Sequence, residues 1–401
     1  MHFYQTTVPN CDSESHYSNY LSSQPSLPSV PSLTSQPQQL HYFFTNAYCS
    51  TTLKGHNSYI SSLTLSGKFL YSGSSDNEIR LWNQNPLNSE PDDDEEQRLI
   101  DNVVAVGKGA VKSLVVLADK LFSAHQDHKI RVWKINNQEQ DCPKLYTRLA
   151  TLPTLNDRAS KLLVPKNHVQ IRRHKKCTWV HHVDTVSALA LSSDETLLYS
   201  VSWDKTLKIW RTSDFKCLES VTDAHDDAIN ALALSTDGDV YTGSADKKIK
   251  VWRKNNSVDK KHSPVDTLEK HKSGINALAL SSDGSILYSG ACDRSILVWE
   301  KEDGGSMKVT GALRGHTESI LCLVVVSDLL CSGSADKTIR LWRRVDRNYS
   351  CMAVLEGHKG PVKCLTAAVD HGTSISNTSY VVYSGSLDCE IKVWKIMVPL
   401  L

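Results

Sequence analysis

A single pattern of apolar and polar positions returns seven times along the chain. In each copy a short stretch containing Ser or Gly leads to an Asp, and apolar residues stand three and five positions after it. A Trp stands six positions after the Asp, at Asp76/Trp82, Asp127/Trp133, Asp204/Trp210, Asp246/Trp252, Asp293/Trp299, Asp336/Trp342 and Asp388/Trp394. Apolar residues at alternate positions after a turn-forming stretch are typical of a β-strand. Each copy therefore predicts a strand, a tight turn and a second strand.

A further apolar segment precedes each turn and predicts another strand, as at 186–191, 229–234 and 275–280. In six copies a His stands four residues before the first β-branched residue of this segment: His56, His182, His225, His271, His316 and His358. Among the Trp residues that end successive copies, Trp133 and Trp210 are much farther apart in sequence than the others. This spacing places an insertion at about 153–178.

With a His at the start and a Trp at the end, the copies resemble the repeats of the WD-repeat family over about residues 47–398. The resemblance implies an all-β fold, a seven-bladed β-propeller whose four-stranded blades cover each other's faces. The family's Trp-Asp dipeptide occurs in none of the copies. The chain ends soon after the seventh Trp, so we expect residues 47–53 to supply the missing outer strand of the last blade and to close the ring.

The resemblance also implies a buried polar network in each blade. It links the loop His, a Ser or Thr four residues before the turn Asp, the Asp itself and the Trp indole. The matching residues are His56, Ser72, Asp76, Trp82; His182, Ser200, Asp204, Trp210; His225, Thr242, Asp246, Trp252; His271, Ser289, Asp293, Trp299; His316, Ser332, Asp336, Trp342; and His358, Ser384, Asp388, Trp394. Blade two departs from the pattern, because Gly107 stands at the His position, and we expect this blade to be the least rigid.

Composition separates the first 46 residues from the rest. They contain nine Ser and five Pro but no Lys or Arg. Such a segment cannot bury enough apolar surface to offset the entropy lost on ordering, so residues 1–46 are predicted to be a disordered tail.

Charge and cysteine content limit the classes of partner. Lys and Arg number 45, Asp and Glu 44, a balance that argues against a surface built as a whole for nucleic acid or an anionic membrane. No apolar run approaches the length of a membrane span. The eleven Cys show no CxxC spacing and indicate reduced thiols in a cytoplasmic or nuclear protein.

The regularly placed His and Asp residues are interpreted as structural, because each pair belongs to a different blade and the groups do not converge on one site. The sequence has no GxxxxGK[ST], HExxH or GxSxG motif and no Cys cluster with zinc spacing. We therefore expect neither catalysis nor a metal, a cofactor or a small-molecule substrate.

Three features are candidates for binding. Trp203 directly precedes a turn Asp, a position that in the family lies on the top face where partners dock, and Leu387 and Tyr59 are weaker candidates there. The insertion holds a basic run that predicts an import signal, a phosphate-binding patch or a solvated hairpin edge: Lys166, Arg172, Arg173, His174, Lys175 and Lys176. Ser89, followed by acidic residues, is either a kinase site or part of a solvated loop.

The insertion narrows the resemblance. Residues 148–155, 164–167 and 169–176, with Trp179, are similar to the plant Jingubang-type WD-repeat proteins. This resemblance implies a plant regulatory protein, a non-catalytic, monomeric scaffold for proteins or peptides such as transcription factors, acting in pollen germination or other developmental control.

Two alternative functions remain. A substrate receptor of a ubiquitin ligase is one, although no blade carries the Trp-Asp-x-Arg sequence frequent in cullin-type receptors. Binding of phosphoinositides or another anionic surface by the basic insertion is the other, although residues 171–174 lack the Phe and Gly of the Phe-Arg-Arg-Gly motif of propellers known for this binding.

Overall fold

The computed structural model describes residues 30–34, 46–83, 102–135, 146–162, 168–172, 175–255, 261–346, 348–370 and 377–399. Within these ranges seven four-stranded antiparallel sheets follow one another along the chain, which confirms the seven-bladed β-propeller. Blade one is β2 (Ile60–Ser66), β3 (Phe69–Ser74), β4 (Glu78–Asn83) and β5 (Val103–Val106); blade two is β6 (Val111–Leu117), β7 (Lys120–His125), β8 (Ile130–Lys134) and β9 (Thr147–Leu152).

The remaining blades repeat this order. Blade three is β12 (Val186–Leu191), β13 (Leu197–Ser202), β14 (Leu207–Arg211), β15 (Cys217–Val221); blade four β16 (Ile229–Leu234), β17 (Val240–Ser244), β18 (Lys248–Lys254), β19 (His262–Glu269); blade five β20 (Ile275–Leu280), β21 (Ile286–Ala291), β22 (Ile296–Lys301), β23 (Met307–Leu313); blade six β24 (Ile320–Val326), β25 (Leu329–Ser334), β26 (Ile339–Val345), β27 (Asn348–Leu355); and blade seven β28 (Val362–Asp370), β29 (Asn377–Ser386), β30 (Ile391–Pro399) and β1 (Asn46–Leu53).

The core lies between the blades. In the described residues the buried apolar side chains form seven clusters, and each cluster spans the seam between two neighbouring blades. The innermost strands are also joined by side chains, since Asn230 and Asn276 donate to the carbonyl oxygens of Ile275 and Ile320 in the next blade at 3.0 and 2.9 Å. A blade alone would expose both faces of a small sheet, so the ring is the unit that buries the apolar surface.

The two ends of the propeller meet in blade seven. β1 pairs antiparallel with β30, from Asn46 opposite Met397 to Leu53 opposite Ile391. Lys392 Nζ donates to Thr52 Oγ1 at 3.0 Å. The expected closing role of the N-terminal outer strand is thereby confirmed, and the free edge of β30 is covered.

The insertion contains a short helix that the sequence pattern does not predict. α1 (Leu155–Leu162) follows Thr154, whose hydroxyl oxygen accepts the N–H of Asp157 at 3.2 Å. The buried Asp157 carboxylate accepts the N–H of Cys217 in blade three at 2.8 Å. A two-stranded hairpin follows, β10 (His168–Arg172) and β11 (Lys175–Thr178). None of the described helices has the length and apolarity needed to cross a membrane.

The prediction of a disordered tail over residues 1–46 is wrong for residues 30–34. This segment forms bridges to Ala312 in blade five and Tyr349 in blade six, and Val30 is buried against the propeller. The prediction was based on average composition and did not weigh two single apolar side chains. Val30 and Leu33 pack into the seams on either side of blade five. Most of the remaining tail lies outside the described residues.

Candidate functional site

In blades one and three to seven the structure brings together all four members of the predicted polar network. The Trp indole N–H donates to the Ser or Thr oxygen at 2.8–2.9 Å. Nε2 of the loop His lies 2.7–2.8 Å from the same oxygen. The other ring nitrogen, Nδ1, lies 2.8–3.2 Å from a carboxylate oxygen of the turn Asp. Each of these six blades therefore contains one continuous chain of hydrogen bonds.

The turn carboxylates are held in their ionised form. Burial alone raises the pKa of Asp246, but hydrogen bonds and charge from His225 and the N–H groups of Lys248 and Asp226 outweigh it and lower the pKa to about 2. The same balance, with His271 as the main partner, lowers the pKa of Asp293 to about 2. Each carboxylate also binds its own turn, as Asp246 does by accepting the N–H of Lys248 at 2.9 Å. Both oxygens of the Asp246 carboxylate thus accept hydrogen bonds from its own blade.

One trio of described residues has donor atoms close enough together to hold an ion, His56, Asp76 and Glu78. His56 uses both ring nitrogens, for Asp76 and for Ser72, at 2.8 Å each. Glu78 accepts two hydrogen bonds from the Arg80 guanidinium, at 2.8 and 3.0 Å. These contacts account for all three side chains as parts of blade one.

Blade two completes its network with a histidine from another position. His125, at the end of β7, places Nε2 2.8 Å from Ser123 Oγ and Nδ1 2.9 Å from the carbonyl oxygen of Gly109. The Trp133 indole donates to Ser123 Oγ at 2.8 Å, as in the other blades. The expectation that blade two is the least rigid was based on the absence of the loop histidine, and His125 takes its place in the network. Asp127 instead forms a two-point ion pair with Arg131.

The electrostatics of blade two differ accordingly. Burial and the positive charge of Arg131 lower the pKa of His125 to about 4. The imidazole is therefore neutral at physiological pH, donates from Nδ1 to the Gly109 carbonyl and accepts the Ser123 hydroxyl. The sequence contained a signal for this exchange, because the other blades have Ser or Ala at the position of His125.

One face of the propeller carries the residues that precede the turn Asp, and we call it the top face. In each blade the N–H of this residue donates to the carbonyl of the residue that directly precedes the first strand of the blade. Ser75 donates to Tyr59 in this way, Trp203 to Thr185 and Leu387 to Pro361. Tyr59, Trp203 and Leu387 therefore lie on the same face. Leu387 is 43% exposed, whereas Tyr59 and Trp203 are half-buried.

Lys112 joins two of these three residues, and the sequence reasoning missed it. Its ammonium donates to the Tyr59 hydroxyl at 3.0 Å and lies 5.9 Å from the centre of the Trp203 ring. Burial alone raises the pKa of Tyr59, but hydrogen bonds with Ser75 and Lys112 and the charges of Lys112 and Lys363 lower it. We call Tyr59, Lys112 and Trp203 the aromatic–lysine patch. The patch spans blades one to three and combines flat apolar surface with positive charge, which suits an acidic or polar protein segment.

The predicted basic run lies on the β10–β11 hairpin. Arg172 ends β10, and Lys175 and Lys176 begin β11. Lys166, Arg173 and His174 lie outside the described residues, as does Ser89. The described backbone forms a two-stranded hairpin here, and the three interpretations of the basic run stay predictions.

A second basic feature lies between blade two and α1. A cavity of about 630 Å³ is lined by five cationic side chains, together with Thr154 and Asn156: Lys108, Lys129, Arg131, Arg148 and Arg158. Burial, with the charges of Arg158, Lys208 and Lys129, lowers the pKa of the nearby His181. The region thus concentrates cationic side chains even though the net charge of the chain is close to zero.

Comparison with known proteins places these features in context. A sequence profile described as "WD domain, G-beta repeat" matches residues 47–83, 174–211, 215–253, 262–300, 307–343 and 349–395. These ranges leave out blade two. The WD40 β-propeller domain of Doa1 superposes with a TM-score of 0.61 at 22% identity, over 88% of this chain and 97% of that one, and so supports the fold alone.

Three relatives illustrate the range of similar sequences. The chain is 24% identical to the ribosome biogenesis protein WDR12 homolog of Nematostella vectensis, over 86% of this chain and 67% of that protein. It is 30% identical to the zinc finger CCCH domain-containing protein 59 of Arabidopsis thaliana, over 44% and 35%. It is 23% identical to the ribosome biogenesis protein YTM1 of Coccidioides immitis, over 72% and 50%. The chain thus spans between about one third and two thirds of these relatives.

Proposed function

The chain belongs to the WD40 repeat family, and from that premise we propose that it is a non-catalytic scaffold that binds other proteins or peptides through its top face. The observation that carries the proposal is the aromatic–lysine patch. Lys112 holds both rings in place, so a partner would meet a preorganised surface. Aromatic side chains at the centre of an interface supply most of its binding energy.

The enclosure of the ionisable groups supports the non-catalytic part of the proposal. Each His/Asp pair bonds within one blade, so the pairs do not share a cleft where a substrate could contact several of them.

Affinity capture with matched variants tests the proposal. Trp203→Ala and Lys112→Ala should each lose the partners that the wild-type chain retains from an extract of its source cells. Tyr48→Ala is the control, because Tyr48 is 47% exposed on the outer strand β1, away from the top face. Thermal unfolding of each variant shows whether it is folded. Identical partner sets for wild-type and Trp203→Ala would refute the role of the patch.

Two settings are supported for such a scaffold, and both agree with a cytoplasmic or nuclear location. The Jingubang-type resemblance of residues 148–179 supports a plant regulator of pollen germination or development with transcription factor partners. The similarity to two proteins named for ribosome biogenesis supports a role in ribosome assembly, and none of the three relatives above carries the Jingubang name. Sedimentation separates the settings, since an assembly factor co-sediments with pre-ribosomal particles and a regulator of transcription does not.

Binding of an anionic group is a second candidate function, and the cation-lined cavity favours it. The alternative for phosphoinositides placed this chemistry on residues 172–176, whereas the cavity gathers its charges from Lys108, Lys129 and Arg148. Flotation with phosphoinositide-containing vesicles, with phosphatidylcholine vesicles as reference, tests the idea. Arg148→Glu should abolish a salt-sensitive association and Lys68→Glu, in the β2–β3 turn, should not. Equal flotation of both vesicle types would exclude it.

A further inference from the structure

Residues 30–34 lie along the outer edge of blade five as a short added strand. The N–H of Leu33 donates to the carbonyl of Ala312 at 3.0 Å, and the N–H of Ala312 donates to the carbonyl of Pro31 at 2.9 Å. The bridge between Ser32 and Ala312 is parallel. The last strand of a blade has unpaired backbone groups on its outer side, and an extended peptide can pair with them. This edge is therefore an occupied peptide site.

Two side chains anchor the segment, one in each seam of blade five. Val30 is 4% exposed and joins the apolar cluster between blades four and five. Leu33 packs against the cluster between blades five and six, which includes Tyr349. Pro31 and Ser32, between the anchors, are exposed. Sheet edges bind peptides by backbone pairing and select them by side-chain pockets, and here the two pockets lie on opposite faces of the edge.

Gly311 makes the space for Leu33. A Cβ at this position would overlap Leu33 Cγ, and the three atoms nearest to it all belong to Leu33. Gly311 pairs with Val298, the residue before the blade Trp. The corresponding position in five other blades carries a side chain: Thr51, Ala150, Glu219, Asp266 and Ala353. The opening is thus a feature of blade five and not of the repeat.

The segment also completes a buried hydrogen bond. The N–H of Tyr349 donates to the Leu33 carbonyl at 2.9 Å, and Tyr349 is 2% exposed. In two other seams the N–H at the same place finds a partner within the propeller, from Tyr146 to the Val104 carbonyl at 2.7 Å and from His262 to Glu219 Oε1 at 2.8 Å. A buried N–H left without a partner destabilises the folded protein. The seam between blades five and six is therefore completed by a peptide carbonyl from outside the blades.

Polar contacts at both ends narrow the peptide that fits. Arg314 Nη2 donates to the Val30 carbonyl at 2.9 Å, and the N–H of Arg314 donates to Thr34 Oγ1 at 3.0 Å. The tail holds a second Pro-Ser-Leu at residues 25–27, but Gln24 precedes it and Pro28 follows it. That stretch lacks both the first apolar anchor and the final hydroxyl. The contacts therefore specify an apolar first residue, a Leu at the fourth position and a hydroxyl at the fifth, which Ser can also supply, while the tail itself has an exposed Pro at the second position.

We propose that the outer edge of blade five is a binding site for partner proteins that carry an extended segment with an apolar first residue, a Leu at the fourth position and a Ser or Thr at the fifth, and that residues 30–34 fill it as a built-in competitor. The site is separate from the aromatic–lysine patch. Eleven residues join Thr34 to β1, so the tail is present at the groove at an effective concentration on the order of millimolar. A partner segment enters when its affinity or local concentration exceeds that of the tail.

Fluorescence polarisation of a labelled peptide comprising residues 28–36 tests the proposal on the full chain. V30D/L33D should empty the groove and bind the peptide at least ~10-fold more tightly than the wild-type chain, where the tail competes. A peptide of residues 22–29, which contains the other Pro-Ser-Leu, is the matched control and should not bind. The proposal would be overturned if a folded V30D/L33D chain did not bind the 28–36 peptide, or bound both peptides with equal affinity.

Changes in the groove itself provide the second arm. Adding Gly311→Val to V30D/L33D should abolish peptide binding, because the new side chain occupies the place of Leu33. Circular dichroism and thermal unfolding report whether this variant is folded. If it is not, Arg314→Ala in the same background keeps β23 intact and should weaken binding by removing the contact to the Val carbonyl. Unchanged affinity in a folded groove variant would place the peptide elsewhere.

Discussion

The imidazole of His125 lies in the space that a side chain at Gly107 would need. A Cβ on Gly107 would stand 2.5 Å from His125 Cε1 and 2.7 Å from Nδ1. In the other six blades the histidine is on the loop, and a small residue stands at the position of His125. In blade two the histidine has therefore moved from the loop position to the end of β7, and the small residue, Gly107, stands on the loop. The Ser123 hydroxyl and the Trp133 indole form the same hydrogen-bonded network as in the other blades.

This exchange predicts the outcome of a swap. His125→Ser should destabilise the protein by about 1–3 kcal/mol, because Ser123 loses its partner and a buried space opens. Gly107→His alone should also destabilise it, because the two rings overlap. The double variant H125S/G107H should recover much of the loss by restoring the arrangement of the other blades. Urea unfolding measures all four proteins, and a double variant no more stable than His125→Ser would contradict the exchange.

The low pKa of His125 predicts acid sensitivity. Its pKa is about 4 in the folded protein, against 6.5 for an ordinary His, so the unfolded chain binds the extra proton first as pH falls. The stability that depends on neutral His125 is fully present above about pH 6.5 and is lost as pH falls towards about 4. The pKa values of His182 and His358 are lowered by burial and act in the same direction. Urea midpoints across this range should fall less steeply for His125→Ser than for the wild type.

The turn carboxylates are expected to act at lower pH. The pKa of Asp246 is about 2 in the folded protein against 3.8 for an ordinary Asp, so its contribution is present above about pH 4 and is lost as pH falls towards about 2. Asp246→Asn should remove part of this dependence below about pH 4. Tryptophan fluorescence during acid titration distinguishes the two windows. A change confined to the upper window would contradict the assignment.

Closure through β1 predicts graded effects of truncation. Deleting residues 1–29 should leave the thermal unfolding temperature unchanged, and deleting 1–40 should lower it moderately, because the anchors Val30 and Leu33 are lost. Deleting 1–54 removes the fourth strand of blade seven and should open the ring. Circular dichroism melting compares the three. Equal stability of the second and third truncations would refute closure by β1.

Replacing each of two tryptophans of blade three by Ala should affect a different property, stability for one and partner binding for the other. Trp210 is 1% exposed and donates to Ser200, so Trp210→Ala should cost about 3–5 kcal/mol. Trp203 is half-buried on the top face and contacts Lys112, so Trp203→Ala should change stability little while weakening partner capture. Chemical unfolding of both variants provides the measurement. A loss for Trp203→Ala comparable to that for Trp210→Ala would make Trp203 a core residue.

Some features could be read from the sequence because they repeat. The blade count and the members of six polar networks follow from spacings within one unit of chain, where the same contact recurs and each copy supports the others. The closing strand follows from counting strands, because the last unit lacks an outer strand of its own. Lys112 was not found in this way, because Tyr59 and Trp203 belong to the blades on either side of it. Nor was α1, whose buried Asp157 is matched to a backbone group sixty residues away along the chain.

The sequence alone determined which side chains pair inside a blade, since strand alternation and tight turns act over a few residues and leave a periodic trace. Only the tertiary structure decided what meets across blades: the lysine between two aromatic rings, and the five tail residues on the edge of blade five. Those contacts join segments up to some 280 residues apart, as between Thr34 and Arg314. Each of these contacts occurs once, so no repeated spacing in the sequence predicts it. Each also depends on a space that exists only when the ring has closed.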